Sequence, residues 1–226
     1  MEQAENPSKS RQINLTTMAK VKKLLPKSLL KEAKMVIKQK WSYPGMAHYG
    51  PQEKLVSTLF RKMYPANTKD SEVLVKAFFL NQFYGTNIRA ISKLGKGIVL
   101  HQIDANLQQG NITVVDAIAN ILAPRRNYSF ASKYCACHNP KAFPINDRLV
   151  RGYLAKLIAK GHLVGFSGTK TALDKQLYAN YALYKDVYDA FMKQYHLTSL
   201  SYRQVDWYIW VACKCKLTHL DLFKLI

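Results

Sequence analysis

Apolar residues recur along this chain at the spacing of helices. In "DRLVRGYLAKLIAKG" they fall at positions 149, 150, 153, 154, 157 and 158, so that one helical face is apolar. The same spacing predicts helices over about 18–41 and 51–64, with "WSYPGMAHYGP" between them as a loop broken by Pro and Gly. "SEVLVKAFFLNQFY" begins with a capping signal at Asp70 and Ser71 and should stop at Gly85. "NIRAISKLGKGIVLHQIDANLQQG" reads as one helix, or as two divided at Gly95 and Gly97, with Gly110 as its stop. "TVVDAIANILA" ends at Pro124, and "SFASKYCACH" follows "PRRNY". "LVGFSGTKTALD" is turn-rich, "QLYANYALYKDVYDAFMKQYH" is one long Tyr-lined helix, and "SYRQVDWYIWVACK" is the last. No segment alternates with the period of a strand, and no repeat of fixed length is visible. Residues 1–18 are polar and aperiodic, a flexible tail. The expectation is an all-α domain of about ten short helices.

Charge narrows the choice of partner. The chain has 226 residues, enough for one large domain or two small lobes, and carries 34 Lys and Arg against 14 Asp and Glu, a formal charge of +20. Such an excess points to a polyanion, either nucleic acid or an anionic membrane surface. The basic segment over 20–40 is amphipathic enough to lie on lipid, but Pro26 interrupts it, and a solvated Lys face beside a buried apolar stripe explains it as well. No apolar run is long enough to span a bilayer, and "MEQAENPSKSRQINL" has no apolar signal region. The expectation is a cytoplasmic, nucleoid-associated protein with no membrane role.

Cys135, Cys137, Cys213 and Cys215 form two C-x-C pairs, with His138 and His219 near them. Two residues apart on a helix, such side chains point away from each other, so buried free thiols are favoured over a zinc site, and no metal or cofactor is expected.

Three segments carry a further signal. "APRRNY" is a short hairpin between two helices, and "SFASKY…HNPKAFPINDRLV" runs from it to an Asp that opens another helix. "FFLNQFYGTNI" is an apolar helix ending in a Gly turn, and "QVDWYIW" lies near the C-terminal end. Together these resemble the helix–hairpin–helix DNA glycosylase superfamily, nearest to its 8-oxoguanine glycosylase branch and small bacterial members, over about half the chain. The resemblance implies a two-lobed all-α fold with a basic cleft, acting as a monomer on double-stranded DNA. It also implies that a target base is flipped out and excised to leave an abasic site. Asp147 would stand at the mouth of the pocket, stabilising positive charge on the sugar or activating water. As the residue that opens a helix, Asp147 also fits the plain role of a cap.

The match departs from the family in two places. Bifunctional members carry a nucleophilic Lys roughly eighteen residues before the Asp. Here that position is Ser129, and the nearest Lys is Lys133, one turn on and on much the same helical face. Lys133 is therefore a displaced nucleophile, or Asp147 acts on water alone, or Lys133 only meets phosphate or solvent. The hairpin lacks the family's glycines, and Arg125 and Arg126 would contact phosphate instead. Gln82 and Tyr84 are expected to enter the duplex, with Phe83 joining Phe78 and Phe79 in the core, and Ser129 and Arg148 to contact DNA. Tyr134, Trp207 and Trp210 are expected to stack on the base. The substrate stays open between oxidised guanine and an alkylated or hypermodified base, the last including phage DNA. A non-catalytic DNA-binding protein of the same fold is the alternative, and a helical RNA-binding protein a distant third.

Overall fold

The computed structural model describes residues 26–226, and the predicted tail and the start of the first helix lie outside them. Every regular element among the described residues is helical. In chain order these are α1 (Pro26–Gln39), α2 (Tyr49–Thr58) running into a π-helical turn (Leu59–Met63), α3 (Asp70–Tyr84), α4 (Ile91–Leu100), α5 (Asp104–Gln109), α6 (Thr113–Asn120), α7 (Tyr128–His138), α8 (Arg148–Ala159), α9 (Lys170–Ala179), α10 (Tyr181–Gln194), α11 (Tyr202–Lys214) and α12 (Asp221–Lys224). No described helix is long and apolar enough to cross a membrane.

The chain closes on itself. α1 packs on α11 and α12, while α3 packs on α4, α6 on α7, and α8 on both α9 and α11. Glu32 of α1 supplies the distant cap that α12 lacks locally, accepting the backbone N–H groups of Asp221 at 2.7 Å and Leu222 at 3.2 Å. The core is built from the apolar faces of α7, α8, α10 and α11. Tyr153, Tyr184, Tyr188 and Tyr208 are buried within it, and each hydroxyl donates to an acceptor.

Several boundaries differ from the sequence pattern, each for a local reason. The long Tyr-lined helix is two helices, because the Asn180 side chain accepts the Leu183 N–H at 3.0 Å and starts α10 afresh. α9 begins at Lys170 within the segment read as turns, capped by Thr169. No side chain caps α3; its first residue is Asp70. α4 runs unbroken through Gly95 and Gly97, and the division falls after Leu100 instead. Gly97 is required by close approach: a Cβ there would lie 2.4 Å from Ile121 Cγ2. Gly85 ends α3 as expected, in the left-handed region at φ 56°.

Candidate active site

Asp147 reaches its position through a loop held at nearly every residue. The carbonyls of Pro144 and Ile145 accept the hydroxyls of Tyr181 and Tyr184 at 2.7 and 2.6 Å. The Asn146 N–H donates to Ser132 Oγ at 3.0 Å, and its side-chain amide donates to the Leu177 carbonyl at 2.9 Å. The loop therefore leaves Asp147 little freedom. Its two oxygens divide the roles considered above: Oδ1 accepts the Leu149 N–H at 2.8 Å and caps α8, while Oδ2 faces Lys133 Nζ at 3.7 Å.

Lys133 projects from α7 and is 5% exposed. Its ammonium donates to Ser129 Oγ at 2.6 Å and sits 5.7 Å from the Tyr84 ring centre. Burial pulls its pKa below the ordinary lysine value, against the opposing pull of Asp147 and Asp206. A lysine so placed keeps a larger fraction of neutral, nucleophilic amine than one in water.

Both groups open onto a pocket of about 220 Å³ lined by Tyr49, Phe83, Tyr84, Gly85, Lys133, Ile145, Asp147, Arg203, Asp206, Trp207 and Trp210. The aromatic wall interlocks edge to face: Trp207 meets Trp41 at 4.7 Å and Trp210 at 5.5 Å, and Tyr49 meets Trp210 at 5.2 Å. Such a slot suits a flat ring.

The far side of the pocket is built on Arg203, the second residue of α11. Its Nε donates to Glu53 Oε1 at 2.8 Å, its Nη1 to Asp206 Oδ2 at 2.8 Å, and its Nη2 to both Glu53 Oε2 and the Tyr84 hydroxyl, the latter at 3.2 Å. α2, α3 and α11 are thereby joined through one guanidinium. Burial alone would raise the Glu53 pKa, but the Arg203 charge and hydrogen bonds outweigh it and hold the pKa below the usual value. Asp206 goes the other way. Burial pushes it up to about 7, against the pull of Arg203, and Asp147 adds to the rise. Among the described residues, Asp206 Oδ1 is the buried side-chain oxygen that no protein donor meets. A buried unpaired carboxylate oxygen is costly, in keeping with the upward shift of the Asp206 pKa.

The structure thus brings together Asp147, Lys133, Ser129, Tyr84, Trp207 and Trp210 of the residues singled out by sequence. It corrects others. Tyr134 is fully buried among Phe60, Phe130 and His138, and its hydroxyl donates to Asn67 Oδ1 at 2.5 Å. Adjacent helical residues point about 100° apart, so Lys133 in the pocket turns Tyr134 to the core. Ser129 is engaged by Lys133. Phe83 stacks on Phe79 and also lines the pocket, while Phe78 is 61% exposed instead of joining the core. Gln82, Arg125, Arg126 and Arg148 are exposed outside the pocket lining, a placement compatible with the DNA contact expected of them. The pocket itself is not basic: Lys133 and Arg203 face Asp147 and Asp206 in near balance. Glu53, Arg203 and Asp206 escaped the sequence reading. The signal for two of them was there, an Arg and an Asp three apart on a helix otherwise rich in Val, Ile and Trp.

The four cysteines are free thiols, and the described residues contain no group of three or more His, Cys, Asp or Glu able to hold a metal.

The family described as HI_0787_N, N-terminal domain, matches residues 28–142, which takes in Lys133 and stops before Asp147 and α11. An uncharacterized protein of Haemophilus influenzae is 33% identical over 138 residues, covering 59% of this chain; the match spans 62% of that relative's length. No solved structure matches.

Proposed function

The chain belongs to the HI_0787_N family, and from the pocket geometry we propose that this protein is a DNA glycosylase that excises a flipped base. The observation that carries this reading is the 3.7 Å approach of a buried Lys133 amine to Asp147 Oδ2 at the edge of an aromatic slot. The two-lobed arrangement it requires would join α3 to α7 in one lobe and α1, α2 and α8 to α12 in the other. The packing of α1 on α11 and α12 supports that division. α6, residues 121–127 and α7 would be the hairpin unit, carrying Arg125 and Arg126 to the DNA backbone.

Of the readings left open for Lys133, its burial and its place in the pocket favour the nucleophile. Its neutral amine attacks C1′ of the flipped nucleotide. The C1′–N bond breaks, and its electron pair leaves with the base, which takes up a proton; Asp206, with a pKa near 7, can supply it. The new amine at C1′ sheds its proton to Asp147, which also stabilises positive charge on the sugar before that. The nitrogen lone pair then forms the C=N bond of a Schiff base as C1′–O4′ breaks, and O4′ takes up the proton held by Asp147. Trp207 and Trp210 stack on the base.

A pocket of about 220 Å³ is smaller than the roughly 300–1,000 Å³ typical of drug-sized ligands. It suits a single base with a compact alteration, such as oxidation, over one carrying a sugar. The test is an abasic-site count on plain, oxidised, alkylated, uracil-containing and modified-cytosine duplexes. Abasic sites on one of them, lost in Asp147→Asn, support the reading. Tight binding to all with no abasic sites would favour the non-catalytic DNA-binding protein.

A further inference from the structure

The candidate hairpin and the Asp147 loop are joined by a continuous chain of contacts that runs through α9. The Tyr178 hydroxyl donates to the Arg126 carbonyl at 3.0 Å, so the hairpin rests on α9. The Arg151 guanidinium lies 5.0 Å from the Tyr178 ring centre. Arg151 is 8% exposed and splits its donors: Nε to Asp174 Oδ1 and Nη1 to Asn146 Oδ1, both at 2.9 Å. Asn146 is fully buried, and it directly precedes Asp147. Its own N–H ends on Ser132, the residue beside Lys133.

We infer that Tyr178 and Arg151 are positioning residues that couple engagement of a DNA backbone at the 123–127 hairpin to the placement of Asp147. The inference rests on the DNA-binding part of the function proposed above. Its physical basis is that no link in this chain is a solvent-separated contact. A shift of the Arg126 carbonyl moves the Tyr178 ring, the ring bears on Arg151, and Arg151 holds the Asn146 side chain. Tyr178 is partly exposed at one end of the chain and Asn146 is fully buried at the other. The device therefore reads a surface event and reports it to the pocket.

The variant to make is Tyr178→Phe, which keeps the ring over Arg151 and removes only the hydroxyl that holds the hairpin. Backbone amide exchange is followed in wild type and variant, with and without duplex DNA. Duplex should protect residues 123–127 and 144–149 together in the wild type. In Tyr178→Phe, protection at 123–127 should persist and that at 144–149 should fall. On a duplex from which wild type releases base, the single-turnover rate should drop on the order of 10-fold with an unchanged Kd, since small misplacements near reacting groups are costly. Arg151→Lys should lower the rate further, having lost the split hydrogen bonds. Equal protection of both segments in wild type and variant would overturn the coupling. Protection of neither segment in wild type would overturn it together with the DNA reading. Intact coupling with no base released from any duplex would sustain this inference and overturn the glycosylase reading alone.

Discussion

Among the described residues two lysines are buried, and they are buried differently. Lys76 is 0% exposed, and its ammonium donates to the carbonyls of Tyr64 and Ala66 at 3.0 and 2.7 Å and to Asn67 Oδ1 at 2.7 Å. Its three protons have three acceptors. Asn67 in turn donates to both oxygens of Asp104, at 2.9 and 2.5 Å, so a negative charge stands behind the positive one. Lys133 is 5% exposed and has one close acceptor, Ser129, with Asp147 beyond ordinary hydrogen-bond reach at 3.7 Å. Burial lowers both pKa values, that of Lys76 to about 8. Depressed basicity alone therefore does not mark a reactive lysine. Lys76 fastens the segment after the π-helical turn to α3, whereas Lys133 keeps donor capacity facing an open pocket. What separates them is how completely the protein answers their hydrogen bonds.

The sharpest way to break the comparison is to remove each lysine in turn. Lys133→Met, like Asp147→Asn, should lower base release by about 10³-fold or more while the chain stays folded, as measured by single-turnover kinetics and circular dichroism. Lys76→Met should do the reverse. It strands Asn67 and two carbonyls, costing about 3 kcal/mol in a urea melt, with little change in base release per folded molecule. If Lys76→Met were as inactive as Lys133→Met yet fully stable, the division of roles would fail.

The pH dependence of stability sharpens the same contrast. Lys76 has a pKa of about 8 in the folded chain against 10.5 for an ordinary lysine. Between those values the unfolded chain holds the extra proton, so stability rises with pH. Wild type should therefore gain stability relative to Lys76→Met from about pH 8 toward pH 10.5. Asp206 has the opposite sign, since its folded pKa of about 7 exceeds the ordinary 3.8 and stability falls as pH rises between them. The stability of wild type relative to Asp206→Asn should therefore fall as pH rises from about 4 to about 7. Base release should fall in the same variant, because the leaving base has lost its proposed proton donor. The smallest effect expected is Tyr84→Phe, which removes one hydrogen bond to Arg203 and should cost about 1 kcal/mol in the same melt.

Much of the helical order was legible because apolar spacing and glycine stops are local signals. Gly85 and Gly110 end helices as their sequence positions suggest. Asn180 was not legible as a break, since the apolar period continues across it and only the capping geometry shows the restart. Within the candidate site, Asp147 and Lys133 were legible through their neighbours in sequence. Tyr134 was misplaced because a segment match gives no rotation about the helix axis. Glu53 was beyond reach: it meets Arg203 150 positions away, and nothing local to "GPQEKLV" marks it. The net charge of +20 pointed to a polyanion; among the described residues most lysines and arginines are exposed, while the charges lining the pocket are balanced. Net charge constrains the surface that meets a polyanion and says little about the few groups buried beneath it.

The central claim is that Lys133, and not Lys76 or a surface lysine, is the chemically competent amine. The most direct test uses duplex DNA carrying an abasic site, whose C1′ aldehyde is a partner for any glycosylase lysine whatever base was lost. Wild-type protein is mixed with it under borohydride, and the covalent adduct is digested and mapped by mass spectrometry. One dominant adduct is expected, on Lys133, absent from Lys133→Met and retained by Lys76→Met. An adduct spread over surface lysines, or none at all, would contradict it.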